Sequence, residues 1–185
     1  MYKFKNNIGL ATATFSYKIN DNHSVAVNNV YSSFNRKGSD ELFPDDAKYQ
    51  QPQRTDKNIL GFSYKYDYKN KWSVMAFGKH LFQHAHTRVS YNPSGNYGDV
   101  AYMDQNNVID KLGYGIATSY FITPELQIKA SYEKSNRLPE NEEMFGDLIN
   151  QESNFNLKPE KSDNINLGVH YAFKLNEDHR FAVSA

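Results

Sequence analysis

The sequence predicts an all-β fold, an antiparallel up-and-down meander of about eight strands, and three observations carry that prediction. Apolar and polar residues alternate with a period of two along much of the chain. The alternating segments are joined by connections that are short and long in turn. The chain holds 14 Tyr and 12 Phe, yet its mean hydropathy is −0.77. Strands with one apolar and one polar face produce that combination.

The elements follow in order. Residues 8–17 are rich in Thr and Ala, and residues 24–34 carry Val25, Val27 and Tyr31. Over residues 60–68, Leu60, Phe62, Tyr64, Tyr66 and Tyr68 point one way, with Gly61, Ser63, Lys65 and Asp67 opposite. Residues 72–91 form a long strand whose phase slips near Leu81 and Phe82, which predicts a bulge there. Leu112, Tyr114 and Ile116 alternate with small residues, and Leu126, Ile128, Ala130 and Tyr132 with Gln127, Lys129, Ser131 and Glu133. Ile165, Leu167, Val169, Tyr171 and Phe173 alternate with Asn166, Gly168, His170, Ala172 and Lys174, and a last strand runs to Ala185.

Short turns fall at residues 20–22, 69–71, 123–125 and 176–178, with the Asn, Asp and Pro chemistry of hairpins. Long connections fall at residues 36–56, 92–110 and 138–161, lengths uncommon in compact soluble domains. Tyr17, Tyr66, Tyr68, Trp72, Tyr120, Phe121, Tyr171 and Phe173 gather near the short turns. A transmembrane β-barrel accounts for both features: short periplasmic turns, long extracellular loops and an aromatic girdle at the headgroup layer. A soluble β-sandwich, the competing all-β fold, does not require aromatics at one end. It predicts instead that the aromatic faces close on each other in a core.

Composition narrows function. The 21 basic and 21 acidic residues cancel, so nothing suggests a grip on nucleic acid. There is no cysteine, hence no disulfide framework or thiolate metal site. No run of about 18 apolar residues could form a transmembrane helix. No signal peptide precedes the first strand, and residues 181–185 read as a strand cut in mid-course, so the chain is expected to be a fragment of a larger barrel.

The most specific stretch runs from Ala130 to Phe173. It holds Arg137-Leu138-Pro139, Glu142-Glu143-Met144-Phe145-Gly146, Asn154-Phe155-Asn156-Leu157-Lys158-Pro159-Glu160 and a strand opening Leu167-Gly168-Val169-His170-Tyr171. This resembles the barrel of TonB-dependent outer-membrane receptors. Those barrels carry an Arg-x-Pro with a following acidic-aromatic pair, then an Asn-Pro-x-Leu-x-Pro-Glu segment. Phe155 stands where the family has proline. The close match covers about a quarter of the chain; the strand rhythm extends it loosely to all of residues 1–185.

The resemblance implies a partial receptor barrel without plug domain or closing strand, its transporters closing with about 22 strands. It implies a location in the outer membrane of a Gram-negative bacterium. It implies import of a scarce small nutrient such as a siderophore, vitamin, metal complex or glycan. The partners implied are outer-membrane lipid, a plug domain and a TonB-type energy-coupling protein, with no resident cofactor and no enzymatic activity. Ligand-binding or gating candidates are Arg137, Glu142, Glu143, Phe145, Asn154 and Asn156. Lumen-facing candidates are Lys65, Asp67, Lys129, Glu133, Asn166 and His170. The Pro-flanked residues also have a structural reading: Pro139 ends a strand and could open a helical turn through Glu142 and Phe145, so this stretch could shape the loop rather than touch a ligand.

Other chemistry is thin. His84 and His86 share a strand face, close to His80, and are the weak candidates for a metal or haem iron. No acidic partner lies beside them in sequence. Haem receptors of the resembling family usually have a histidine between the two motifs, and none occurs from Arg137 to Leu157. Asp104, Asn106 and Asp110 hint at a calcium loop but lack its glycine. Glu140, Glu142, Glu143 and Asp147 form an acidic run that reads best as a solvated loop. An outer-membrane barrel enzyme is the alternative activity, with His84 and His86 as its only candidates.

Overall fold

The computed structural model describes residues 2–42, 51–146, 153–176 and 179–185. They form one antiparallel sheet of eight strands in sequence order: β1 (Tyr2–Lys18), β2 (His23–Asp40), β3 (Gln53–Tyr68), β4 (Trp72–Tyr91), β5 (Ala101–Phe121), β6 (Leu126–Arg137), β7 (Glu160–Asn176) and β8 (His179–Ser184). One short helix, α1 (Asn141–Phe145), interrupts the β6–β7 connection. Among the described residues β1 and β8 do not pair, so the sheet is open. It does not fold back as a sandwich. Leu60, Phe62, Ile116, Leu167 and Val169 stay exposed instead of meeting a second sheet.

The short turns carry the residues hairpins need. Lys69 and Asn70 both have positive φ, 47° and 53°, and Lys71 N–H donates to the Tyr68 carbonyl at 2.8 Å. Two such residues in succession match the right-handed twist of the flanking strands. In the β1–β2 turn the Asn20 side-chain oxygen accepts from the N–H groups of Asn22 (2.9 Å) and His23 (3.0 Å). In the β5–β6 turn the Thr123 hydroxyl accepts from those of Glu125 and Leu126.

The register separates two faces. Tyr17, Val25, Tyr64 and Ala76 lie side by side across β1 to β4, and Ile116, Tyr132 and Ile165 continue the row across β5 to β7. This outer face holds an apolar band edged with rings at the short-turn end. Tyr66 meets Trp72 edge-on at 6.2 Å, and Tyr171 stacks on Phe173 at 5.5 Å. Phe121 is the exception among the girdle aromatics. It pairs with Gln127 and shares that residue's inner face, because it directly follows the outward Tyr120 and alternation turns it inward.

Several expectations are corrected. No bulge occurs at Leu81: the β3–β4 and β4–β5 registers run unbroken through Leu81 and Phe82. The apparent slip arises where the apolar content changes faces, since Leu81 and Ala85 are buried on the inner face while His80, His84 and His86 take the outer one. The only register shift in the described sheet lies between Lys174 and Asn176. The connections expected at 36–56 and 92–110 shrink to residues 41–52 and 92–100, because β2, β3 and β5 run further than their apolar patterns. Asn176, expected in a turn, is the last residue of β7. Twenty-residue β4 spans roughly 66 Å at strand rise, far more than an apolar band of about 25 Å. Backbone pairing continues beyond the band without needing apolar side chains.

Candidate functional site

The β6–β7 connection folds back onto the inner face. Arg137 ends β6, and Pro139 lacks the N–H to continue the ladder. Glu140 is extended (φ −84°, ψ 161°) and caps α1, its N–H donating to the Glu143 carboxylate at 2.8 Å. That reciprocal cap starts a helix too short to persist alone. Gly146 N–H donates to the Glu142 carbonyl at 2.8 Å and closes the helix with φ 71°, a conformation that favours glycine. The turn through Glu142 and Phe145 expected after Pro139 is α1.

Packing holds this loop against the wall. Met144 (0% exposed) and Phe145 (4%) join Phe34, Ala85 and Phe155 in one cluster, while Leu138 joins Leu81 and Ile109 in another. The Phe145 ring sits between Phe34, at 6.4 Å, and Phe155, at 5.9 Å. Phe155, which stands where the resembling family has proline, supplies an aromatic wall. Burial of each of the loop's large apolar side chains, Leu138, Met144, Phe145 and Phe155, stabilises the folded loop by roughly 1.5–3 kcal/mol.

Polar contacts then clamp it. The Arg137 guanidinium reaches Glu143 at 2.8 and 3.3 Å and Glu160 at 3.0 and 2.9 Å. Two forked pairs on one arginine hold both carboxyls below their ordinary range, Arg137 being the first cause for each. Lys57 donates to the Pro139 carbonyl at 2.8 Å. Arg36, its guanidinium 4.7 Å from the Phe4 ring centre, donates to the Gly146 carbonyl at 3.2 Å. Asn107 donates to the Phe155 carbonyl, and Gln83 to the Met144 sulfur at 3.2 Å.

Among the loop candidates, the structure therefore brings Arg137, Glu143 and Phe145 together, engaged with the loop and wall. Glu142, Asn154 and Asn156 are exposed. Of the acidic run, Glu143 is paired and Asp147 lies outside the described residues. Arg36, Lys57, Gln83 and Phe34 were not legible as parts of this site, because they lie far away in sequence and only the register brings them under α1.

Lys65, Asp67, Lys129, Glu133, Asn166 and His170 all occupy the inner face. Lys65, Lys129 and Asn166 line one cavity of about 590 Å³. Lys65 pairs with Asp67 at 2.7 Å, and Lys79 with Glu133 at 2.9 Å. The Asn166 amide donates to the Ser131 hydroxyl at 3.3 Å, and His170 bonds the Ser184 hydroxyl at 2.8 Å.

His80, His84 and His86 stand on the outer face, away from α1. Their partners come from β5 across the sheet: Asp110 at 2.9 Å, Asn106 at 3.1 Å and Asp104 at 3.3 Å. Acidic partners are thus present for two of these histidines, supplied by register rather than by sequence neighbours. The same pairing places Asp104, Asn106 and Asp110 on a strand, not in a calcium-type loop. Among the described residues no group of three or more His, Cys, Asp or Glu is placed to hold a metal ion.

Comparison with known proteins adds to this geometry. Residues 110–185 match the family described as TonB dependent receptor-like, beta-barrel. No curated protein sequence matches the chain. Among solved structures, it is similar to the hemophore receptor HasR of Serratia marcescens, seen as a double mutant in complex with its hemophore HasA and heme. The TM-score is 0.61 and the identity 16% over 99% of this chain, which spans 32% of that receptor chain.

Proposed function

We propose that the chain is a stretch of TonB-dependent receptor β-barrel and forms part of the wall of an outer-membrane receptor that imports a scarce nutrient. The observation that carries the proposal is the division of one continuous register into two faces. The outer face is an exposed apolar and aromatic band, suited to lipid. The inner face carries Lys65, Asp67, Lys129, Glu133, Asn166 and His170, suited to a watery lumen.

In this reading the long loops lie at the cell surface and α1 narrows the lumen beneath them. Arg137, Glu143 and Phe145 hold the constriction; Glu142, Asn154 and Asn156 are the loop residues open to a ligand. The nutrient is a small molecule of the siderophore, vitamin, metal-complex or glycan kind. A plug domain and a TonB-type coupling protein complete the machine. The outward aim of His84 and His86 argues against either as a ligand to cargo passing through the lumen, or as a catalytic residue there.

The test is to express the full-length protein that contains this chain and fractionate the membranes. A product that sits in the outer membrane and migrates differently before and after boiling fits a closed barrel. A product recovered as a soluble monomer defeats the proposal.

A further inference from the structure

We infer that the wall holds an anion site at the break above β6, built to take a phosphate-type oxyanion. β5 pairs with β6 only from Tyr114 to Phe121, so residues 101–113 run on beside the returning β6–β7 loop. A cavity of about 510 Å³ occupies that break, lined by Lys111, Lys158 and Lys161 with Asn106, Asn107 and Asn156.

Charge decides what it would take. The chain is neutral overall, and Arg54, Arg88 and Arg137 each pair with a carboxylate. Lys111, Lys158 and Lys161 have no ion pair among the described residues, and the nearby carboxylates are engaged elsewhere: Asp110 with His80, Glu160 with Arg137, Asp163 with the Tyr132 hydroxyl. Alternation puts Lys111 on the inner face and Lys161 on the outer, so cations line the break from both faces, and lysines bind phosphate as point charges.

Backbone donors add to the site. Leu112 presents its carbonyl to Asn136 at 3.0 Å, whereas Phe121 N–H turns to the β4 side. Even-numbered residues of β5 therefore direct their backbone groups toward the break, which places the Asn106 and Val108 N–H groups on the cavity side. The Asn106 side-chain oxygen accepts from His84, leaving its amide protons to donate. Lys161 lies on the outer-face row four residues, about 13 Å along the strand, beyond Ile165 toward the loop end. The site can therefore draw its oxyanion from a phosphorylated headgroup of the outer leaflet or from a soluble phosphate ester.

The probe is sodium pyrophosphate, titrated calorimetrically into the full-length protein in octyl glucoside micelles at low salt. Saturable one-to-one binding is expected. It should weaken about tenfold or more in Lys158→Gln/Lys161→Gln, persist in Lys158→Arg/Lys161→Arg, and persist in the distant control Lys5→Gln/Lys37→Gln. Folding of each variant is read by heat-dependent migration, so a lost barrel is not mistaken for a lost site. Adding bis-phosphorylated lipid A to the micelles separates the sources. Competition with pyrophosphate identifies the headgroup, and undiminished binding identifies a soluble ester. Equal binding by wild type and the Gln variant, or no saturation, means an adventitious ion only and overturns the proposal.

Discussion

Arg137 stands directly opposite Glu160 in the β6–β7 register, and the same guanidinium grips Glu143 at the start of α1. One residue at the end of a strand thereby ties the next strand and the intervening helix into a single unit. Arg137→Ala should free the loop without opening the ladder. Hydrogen exchange is expected to speed up over residues 138–146 and 153–159 while β3 to β5 remain protected. Arg137→Lys should rescue little, because an ammonium cannot fork to two carboxylates at once.

The same clamp gives a pH dependence. Both carboxyls titrate below their ordinary value of 4.5 when the loop is in place. A depressed folded pKa means a contribution that is complete above the ordinary value and lost as pH falls through the lowered one. The loop should stay shut across neutral pH and loosen only in acid. Limited proteolysis near residue 140 should be unchanged from about pH 8 to 6 and rise at about pH 3. An increase already present at neutral pH would show that the clamp is not what holds the loop.

Apolar contacts should matter at least as much. Phe145→Ala removes the ring between Phe34 and Phe155 and should cost the local folded state about 3–5 kcal/mol. Opening of α1, followed by exchange of the Met144 and Gly146 amides, is the readout. The global unfolding midpoint should move much less, because the cluster covers one end of the sheet.

Gly115 tests the wall itself. A Cβ there would lie 2.6 Å from the Tyr132 carbonyl oxygen and press on the Phe77 ring, which covers the position. Gly115→Ala should destabilise by about 1–3 kcal/mol through overpacking, seen as a lower denaturant midpoint. Gly9→Ala, with only the Ser33 Cβ at 3.9 Å, should be nearly neutral.

Much of the strand plan was readable because it rests on alternation, which needs no partner to be visible. Leu60 to Tyr68 and Ile165 to Phe173 announce both their faces. The overshoot of β2 through Arg36 and Asp40, and of β5 through Asp104 and Asn106, was unreadable for the same reason. Beyond the apolar band these stretches lose regular alternation, and only backbone pairing with β1 and β4 shows that these residues are strands. The loop site divides likewise. Pro139, Glu140, Glu143 and Gly146 signal a capped turn locally. Phe34, Lys57 and Gln83, which receive it, carry no mark until β2, β3 and β4 are laid side by side. Histidine partners followed that rule too, since Asp104 and Asp110 lie far from His86 and His80 in sequence and adjacent in register.

The central claim is that successive residues of one strand face lipid and water in turn. Asn166 and Leu167 test it most directly, the first on the inner face and the second 80% exposed in the middle of the outer band. Asn166→Cys and Leu167→Cys, each placed in the full-length protein in native outer membranes, are treated with a water-soluble maleimide. The account predicts labelling at 166 and protection at 167, with 167 becoming reactive only after the membrane is dissolved and the barrel unfolded. Equal labelling of both, or protection of 166 with labelling of 167, would contradict it.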